Sequence, residues 1–112
     1  MSDTRDLTLL SCQACKAGAP SLPQSEIDHL LNQLPGWLQV DNTLTKTYSF
    51  KSYYQTLAFV NASAWVSHRQ DHHPDLNVGY NQCKVAYTTH AANGLTLNDF
   101  ICARKLDNLL LL

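Results

Sequence analysis

The order in which helical and strand-like patterns follow one another is the strongest constraint on how this chain folds. Apolar residues at helical spacing mark three segments, which lie at 21–34, 52–72 and 96–110. Short segments of strand character form two pairs between them, at 37–40, 44–50, 78–80 and 83–90. This order, α-β-β-α-β-β-α, predicts an α+β domain in which three helices cover one face of a four-stranded antiparallel sheet.

Turn and capping residues support these divisions. Asp41-Asn42 is expected to form the hairpin turn between the first two strands. Pro74 disfavours helical geometry at the residue before it, so the second helix is expected to end near His72. Thr96 and Asp99 have the spacing of a capping box, which predicts the start of the last helix.

The length of the chain indicates a single domain. At 112 residues, folding yields one core and one site. Residues 1–20, which end in Gly18-Ala19-Pro20, are expected to form a flexible leader, and residues 21–112 the domain. The sheet has open edge strands, and pairing edges across a two-fold axis protects them. We therefore expect a homodimer or a homotetramer.

Composition argues against several classes of function. Lys and Arg total 8 against 9 Asp and Glu, so binding driven by nucleic-acid phosphates has little support. No stretch is long enough to span a bilayer, and the short apolar run at 7–10 lacks the basic flank of a secretory signal. We expect a cytoplasmic protein, whose four cysteines are thiols. Cys12 and Cys15 have a spacing that also occurs in redox and zinc sites, but we expect a surface thiol pair.

Four of the five histidines cluster at predicted ends of helices and strands, namely His68, His72, His73 and His90. His68 and His72 are four residues apart, on one face of the last helical turn, whereas His90 ends the last strand. Crowded imidazoles cannot all be protonated near neutral pH, so a neutral ring beside a protonated ring is expected. This combination supplies a base and an acid for elimination, isomerisation or hydration.

Two other roles fit the same residues. His68 and His72, with Asp71 or Asp75, have the chemistry of zinc ligands, but their spacing matches no common zinc motif, so no metal site is predicted. A histidine near a helix C-terminus also interacts favourably with the helix dipole, which gives His68 a structural alternative. Asp99 is expected to act as a capping carboxylate rather than a catalytic one.

Several short motifs occur together over residues 21–110. They are Leu34-Pro35-Gly36-Trp37, Asp71-His72-His73-Pro74, Tyr80-Asn81, Thr88-Thr89-His90, and Gly94-Leu95 followed by Asp99. In this combination the chain resembles the pterin-4a-carbinolamine dehydratase family. The Cys-x-x-Cys leader ending in Ala-Pro resembles the bacterial type, which works with phenylalanine hydroxylase.

The resemblance implies a hydro-lyase that removes water from 4a-hydroxytetrahydropterin and gives quinonoid dihydropterin. Such an enzyme recycles the pterin of an aromatic amino acid hydroxylase, and it needs no metal or bound cofactor because the pterin is its substrate. The implied catalytic rings are His72, His73 and His90, with the roles of acid and base left open. The implied substrate-binding residues are Asp71, His72, His73, Thr88, Thr89, His90 and Ala91. His68, where the family commonly has glutamate, and Asp99 are expected in supporting roles.

Two other functions stay open on the sequence. Some members of the family bind a transcription factor through helices that otherwise form a tetramer. The apolar tail at 109–112 suits such a non-enzymatic interaction module. A small histidine metal-binding protein is the other alternative.

Overall fold

The computed structural model describes residues 6–111, which form three helices and four strands in the predicted order. The helices are α1 (Gln24–Leu31), α2 (Tyr53–Gln70) and α3 (Leu97–Leu109). The strands are β1 (Leu38–Val40), β2 (Thr43–Ser49), β3 (Asp75–Val78) and β4 (Gln82–Tyr87). All neighbouring strands are antiparallel, in the order β1-β2-β4-β3. The predicted α+β architecture is confirmed.

One face of the sheet forms the core. Leu44 of β2 lies opposite Tyr87 of β4, and Tyr48 lies opposite Cys83, and all four side chains are buried. Phe59 of α2 packs on Tyr48, with ring centroids 4.5 Å apart. The buried side of α3 is formed by Phe100, Ile101, Cys102, Ala103 and Leu106. A large apolar side chain such as Phe100, Ile101 or Leu106 contributes about 1.5–3 kcal/mol when fully buried, so the packing of α3 on the sheet is a main source of stability.

The second helix begins as predicted and ends slightly earlier. Ser52 caps its first turn, because its side chain accepts a hydrogen bond from the backbone N–H of Gln55. At the other end, Asp71 adopts left-handed backbone geometry (φ 52°), so α2 stops at Gln70 rather than near His72. The chain therefore changes direction just before the two adjacent histidines.

The third strand is misplaced in the sequence prediction. It spans Asp75–Val78 rather than residues 78–80, and every one of its residues pairs with β4. The N–H of Gly79 donates to the carbonyl of Gln82 at 2.8 Å, which closes the turn into β4. Because Asp and Asn are uncommon in strands, the sequence pattern did not indicate a strand at these residues. Both are tolerated because they lie on the exposed side of the sheet.

Two other elements are shorter than predicted. α1 spans Gln24–Leu31 rather than residues 21–34, because Pro23 takes the N-cap position. β4 ends at Tyr87, so His90 is not part of a strand. Residues 90–92 instead form a 3₁₀ turn, which ends at Asn93 in left-handed geometry (φ 51°).

The described part of the leader lies against the domain. Leu7 is fully buried in the core. The N–H of Cys12 donates to Oε1 of Gln70 at 2.8 Å, and the N–H of Gly18 donates to the carbonyl of Ala91 at 2.9 Å. The division into a flexible leader at 1–20 and a domain at 21–112 stays a prediction. The leader contributes to the site because it lies between the ends of α2 and β4.

Candidate active site

A cavity of about 470 Å³ opens where the leader, the end of α2 and the end of β4 meet. Its lining comes from four parts of the chain, at residues 12–15, 69–73, 88–91 and Asn98. Small-molecule sites usually have volumes of about 300–1,000 Å³, so this cavity has the size of a ligand site. The loops that follow α2 and β4 supply most of its polar groups, as is usual for functional sites on a rigid scaffold.

The three histidines implied as catalytic all line this cavity. His72 and His73 follow the reversal at Asp71, and His90 enters from the 3₁₀ turn after β4. His72 is half-buried, whereas His73 and His90 are exposed. The fold therefore brings together two histidine clusters that are 17 residues apart in the sequence (His73 to His90). Their catalytic roles stay predictions.

The side chain of Asp99 contacts His72, one of the rings that line the cavity. Oδ1 of Asp99 lies 2.6 Å from Nε2 of His72, and the carboxylate is completely buried. Oδ2 of Asp99 accepts hydrogen bonds from the hydroxyl of Thr89 (2.8 Å) and the N–H of Thr96 (3.0 Å). The capping box predicted at the start of α3 is confirmed. The contact with His72 adds a function that the capping pattern did not indicate.

The environment of His72 favours its protonated form. Burial opposes protonation, but the hydrogen bond and the negative charge of Asp99 outweigh it, so the pKa of His72 is raised above its ordinary value. The ring also stacks on Tyr87, with centroids 5.8 Å apart and planes 9° from parallel. His72 is thus a fixed ring that favours the cationic state, beside two exposed rings.

The hydroxyls of the two threonines are used within the protein. Thr88 Oγ1 donates to the carbonyl of Asn42 at 2.7 Å. Thr89 Oγ1 donates a hydrogen bond to Asp99 and accepts one from the hydroxyl of Thr96, and both are 2.8 Å long. Both residues line the cavity, as do Asp71 and Ala91. Their substrate-binding roles stay predictions, with Thr89 also positioning Asp99.

His68 lies outside the cavity lining. It is exposed on α2, and its ring centroid is 5.9 Å from that of Trp65. Because α2 ends at Gln70, His68 and His72 do not share the helical face that the sequence pattern predicted. Within residues 6–111, no hydrogen bond or ring contact joins His68 to the three rings of the cavity, and its supporting role stays a prediction that the His68→Ala variant tests.

Several lining residues were missed by the sequence analysis. Arg69 contributes a cationic side chain at the end of α2. Asn98 fixes the leader by a pair of hydrogen bonds, since its Oδ1 accepts from the N–H of Gln13 (3.0 Å) and its Nδ2 donates to the carbonyl of Gln13 (2.6 Å). Contacts over such long sequence separations leave no periodic signal in the sequence.

Within residues 6–111, no group of three or more His, Cys, Asp or Glu side chains is arranged to hold a metal ion. None of the helices in this range is long and apolar enough to cross a membrane.

Comparison with known proteins places this chain in a family. The sequence profile of the family described as "Pterin 4 alpha carbinolamine dehydratase" matches residues 20–109, and the chain belongs to that family. The chain is 57% identical over 112 residues to a protein of Nitrosomonas eutropha named "putative pterin-4-alpha-carbinolamine dehydratase", covering 99% of each. A protein of the same name from Nitrosospira multiformis is 58% identical over 104 residues, covering 93% of this chain and 92% of the relative.

Two solved structures share the fold. One is a "transcriptional coactivator/pterin dehydratase" from Brucella melitensis, with a TM-score of 0.77, 33% identity, and coverage of 80% of this chain and 97% of that one. The other is a "pterin dehydratase-like protein" described as a RuBisCO assembly factor of the alpha-carboxysome. Its TM-score is 0.58 at 26% identity, with coverage of 68% of this chain and 90% of that one.

Proposed function

We propose that this protein dehydrates 4a-hydroxytetrahydropterin to quinonoid dihydropterin. The observation that carries the proposal is the meeting of three imidazoles in one cavity, one of them paired with a buried carboxylate. Membership of the pterin dehydratase family supports the same reaction class. A flat bicyclic heterocycle suits a cavity of this size, and the exposed polar side chains of Asp71, His73 and His90 line its wall.

The proposed mechanism transfers two protons. His72, which favours the cationic state, donates a proton to the departing hydroxyl, and the C4a–O bond breaks to release water. A neutral ring, His73 or His90, takes the proton from the neighbouring ring nitrogen N5, and a double bond forms between N5 and C4a. Asp99 stabilises the His72 cation before the transfer and fixes the orientation of its ring.

The proposal extends to the partners of the reaction. The substrate arises on the pterin of an aromatic amino acid hydroxylase, so we propose a functional link to such an enzyme, phenylalanine hydroxylase in particular. The pterin is the substrate, and the proposed mechanism uses neither a metal nor a bound cofactor. The cytoplasmic location stays part of the proposal.

A stopped-flow assay on freshly made 4a-hydroxytetrahydropterin tests the activity. The purified protein should remove the substrate much faster than the uncatalysed reaction at the same pH. Elemental analysis of protein purified without added metal distinguishes the dehydratase from a metal-binding protein. A metal-binding protein would carry a near-stoichiometric ion. A protein without dehydratase activity that captures a helical partner would contradict the proposal and favour the interaction module.

The pH profile tests the role of His72 separately. An acid catalyst is active while protonated, so activity is lost as pH rises through its pKa. The Asp99→Asn variant removes the charge that raises the pKa of His72, so the alkaline limb of the kcat profile should move to lower pH. Steady-state rates measured across the pH range, on protein shown to be folded by circular dichroism, give this limb.

Asp75→Asn is the matched control for the pH experiment. Asp75 is an exposed carboxylate of β3 outside the cavity, and its replacement should leave the alkaline limb in place. An unmoved limb in folded Asp99→Asn protein would remove His72 from the role of acid.

We also propose that the protein is a homo-oligomer, either a homodimer or a homotetramer. β1 and β3 form the edges of the sheet. They expose apolar side chains, with Leu38 65%, Val40 49% and Val78 41% accessible. Open edges of this kind are normally protected in native proteins. Size-exclusion chromatography with light scattering should give two or four times the chain mass of 12.5 kDa, and a monomer at micromolar concentration would refute the proposal.

A further inference from the structure

Two cysteines from opposite ends of the chain meet beneath the cavity. Sγ of Cys12 lies 3.4 Å from Sγ of Cys102, although 90 residues separate them. Cys12 is half-buried and lines the cavity, whereas Cys102 is completely buried on α3. The proposed mechanism uses neither thiol. The surface thiol pair expected from the sequence therefore differs from the arrangement found, in which Cys12 contacts the core.

The contact between these sulfurs is fixed from both sides. The N–H of Cys12 donates to Gln70, and the next residue of the leader is bonded to Asn98 on α3. Cys102 lies one turn further along α3 than Asn98. Gln70 belongs to α2 and Asn98 to α3, so hydrogen bonds to two helices hold the Cys12 backbone beside Cys102.

The second cysteine of the leader has different neighbours. Sγ of Cys15 is 3.5 Å from Nδ2 of Asn98 and 3.8 Å from the carbonyl of Gln13. The Cys-x-x-Cys spacing suggests a pairing of Cys12 with Cys15, but the geometry favours Cys102 as the partner of Cys12. The two possibilities can be separated by experiment because they join different parts of the chain.

The two thiols also differ in acidity. The hydrogen bond from Cys102 lowers the pKa of Cys12, against the opposing effect of burial, and the positive charge of His72 assists. The same hydrogen bond and burial raise the pKa of Cys102. One sulfur is therefore suited to be the attacking thiolate and the other to be the resolving thiol.

We propose that Cys12 and Cys102 form a reversible intramolecular disulfide when the protein meets a hydroperoxide. The Cys12 thiolate attacks one peroxide oxygen, the O–O bond breaks, and the departing oxygen takes a proton from solvent, which gives a sulfenic acid and one molecule of water or alcohol. The Cys102 thiol then attacks that sulfur, the S–O bond breaks, and the hydroxyl leaves as water with the thiol proton. The two sulfurs are oxidised by two electrons in all and the peroxide is reduced, and a dithiol reverses the reaction.

The disulfide would restrain the leader residues that line the cavity. The sulfurs lie 3.4 Å apart, so an S–S bond of about 2.05 Å requires them to approach by about 1.35 Å, and the proposal assigns this movement to the half-buried Cys12 side chain. The bond joins the leader, which lines the cavity, to the helix that carries Asp99. This proposal does not depend on the dehydratase activity, because it concerns only the thiols.

Tryptic peptide mapping after treatment with hydrogen peroxide tests the proposal. Trypsin places Cys12 and Cys15 on the peptide 6–16, Cys102 on 85–104 and Cys83 on 70–84. Folded protein is oxidised, its remaining thiols are blocked with N-ethylmaleimide, and the digest is analysed with and without dithiothreitol. We expect 6–16 joined to 85–104, release of both by dithiothreitol, and a fall in free thiols from four to two.

Three variants make the result specific. Cys15→Ser should retain the link and lose two of its three thiols, whereas Cys12→Ser and Cys102→Ala should abolish it. Circular dichroism before oxidation confirms that each variant is folded, and Cys12→Ser keeps the test valid if the buried Cys102→Ala variant is not. An internal link within 6–16, a link that persists in Cys12→Ser, or four free thiols after oxidation of folded protein would overturn the proposal.

Discussion

Replacing the histidine that acts as the base, which is His73 or His90, with alanine should lower the turnover of 4a-hydroxytetrahydropterin by roughly two to four orders of magnitude, the usual contribution of a positioned acid or base. Both rings are exposed on the cavity wall, so their removal takes away a proton acceptor without opening a hole in the core. Stopped-flow measurement of the single-turnover rate gives the effect on the chemical step directly.

His68→Ala is the matched control for these variants. His68 is also an exposed histidine, but it lies on α2 outside the cavity lining. Its replacement should leave the rate within about twofold of the unaltered protein, since it touches none of the three rings. Rates that stay near the unaltered value in both His73→Ala and His90→Ala would end the proposal of histidine catalysis.

Asp99→Ala should destabilise the protein by about 3–5 kcal/mol, the range found when one member of a buried ion pair is removed. Three donors lose their acceptor at once, namely His72 Nε2, the Thr89 hydroxyl and the Thr96 N–H. The carboxylate is completely buried, so water cannot replace it without a change of packing. Urea denaturation followed by circular dichroism measures the loss in free energy of unfolding.

Asp75→Ala provides the comparison for a carboxylate that is exposed on the outer face of the sheet. Surface substitutions of this kind usually change stability by no more than about 0.5 kcal/mol. Equal effects of the two substitutions on the free energy of unfolding would show that the bonds of Asp99 to His72, Thr89 and Thr96 do not stabilise the fold.

The outline of the fold could be read from the sequence because its signals are local. The turn at Asp41-Asn42 and the capping box at Thr96 each depend on residues a few positions apart, and each occurs in the structure. Along β4, buried residues alternate with more exposed ones at the two-residue period of a strand that has one face in the core. β3 was misplaced because its exposed Asp and Asn disfavour strands while its pairing with β4 overrides that preference.

The site was predictable in part. The two histidine clusters could be identified by residue type, and the resemblance to a family indicated that they belong together. The pairing of His72 with Asp99 spans 27 residues, and the contact of Cys12 with Cys102 spans 90. Such pairs are fixed only when α3 packs against the leader and the end of α2, and no local pattern in the chain describes that packing.

The position of Asp99 after all three histidines in the sequence has a consequence for synthesis of the protein. The carboxylate that orients His72 lies in the first turn of α3, a helix that follows His90. A ribosome-bound chain that has been released only as far as His90 has its three histidines but lacks the group that holds the first of them. Competence of the site is therefore acquired only after α3 has been synthesised, when this helix also packs into the core.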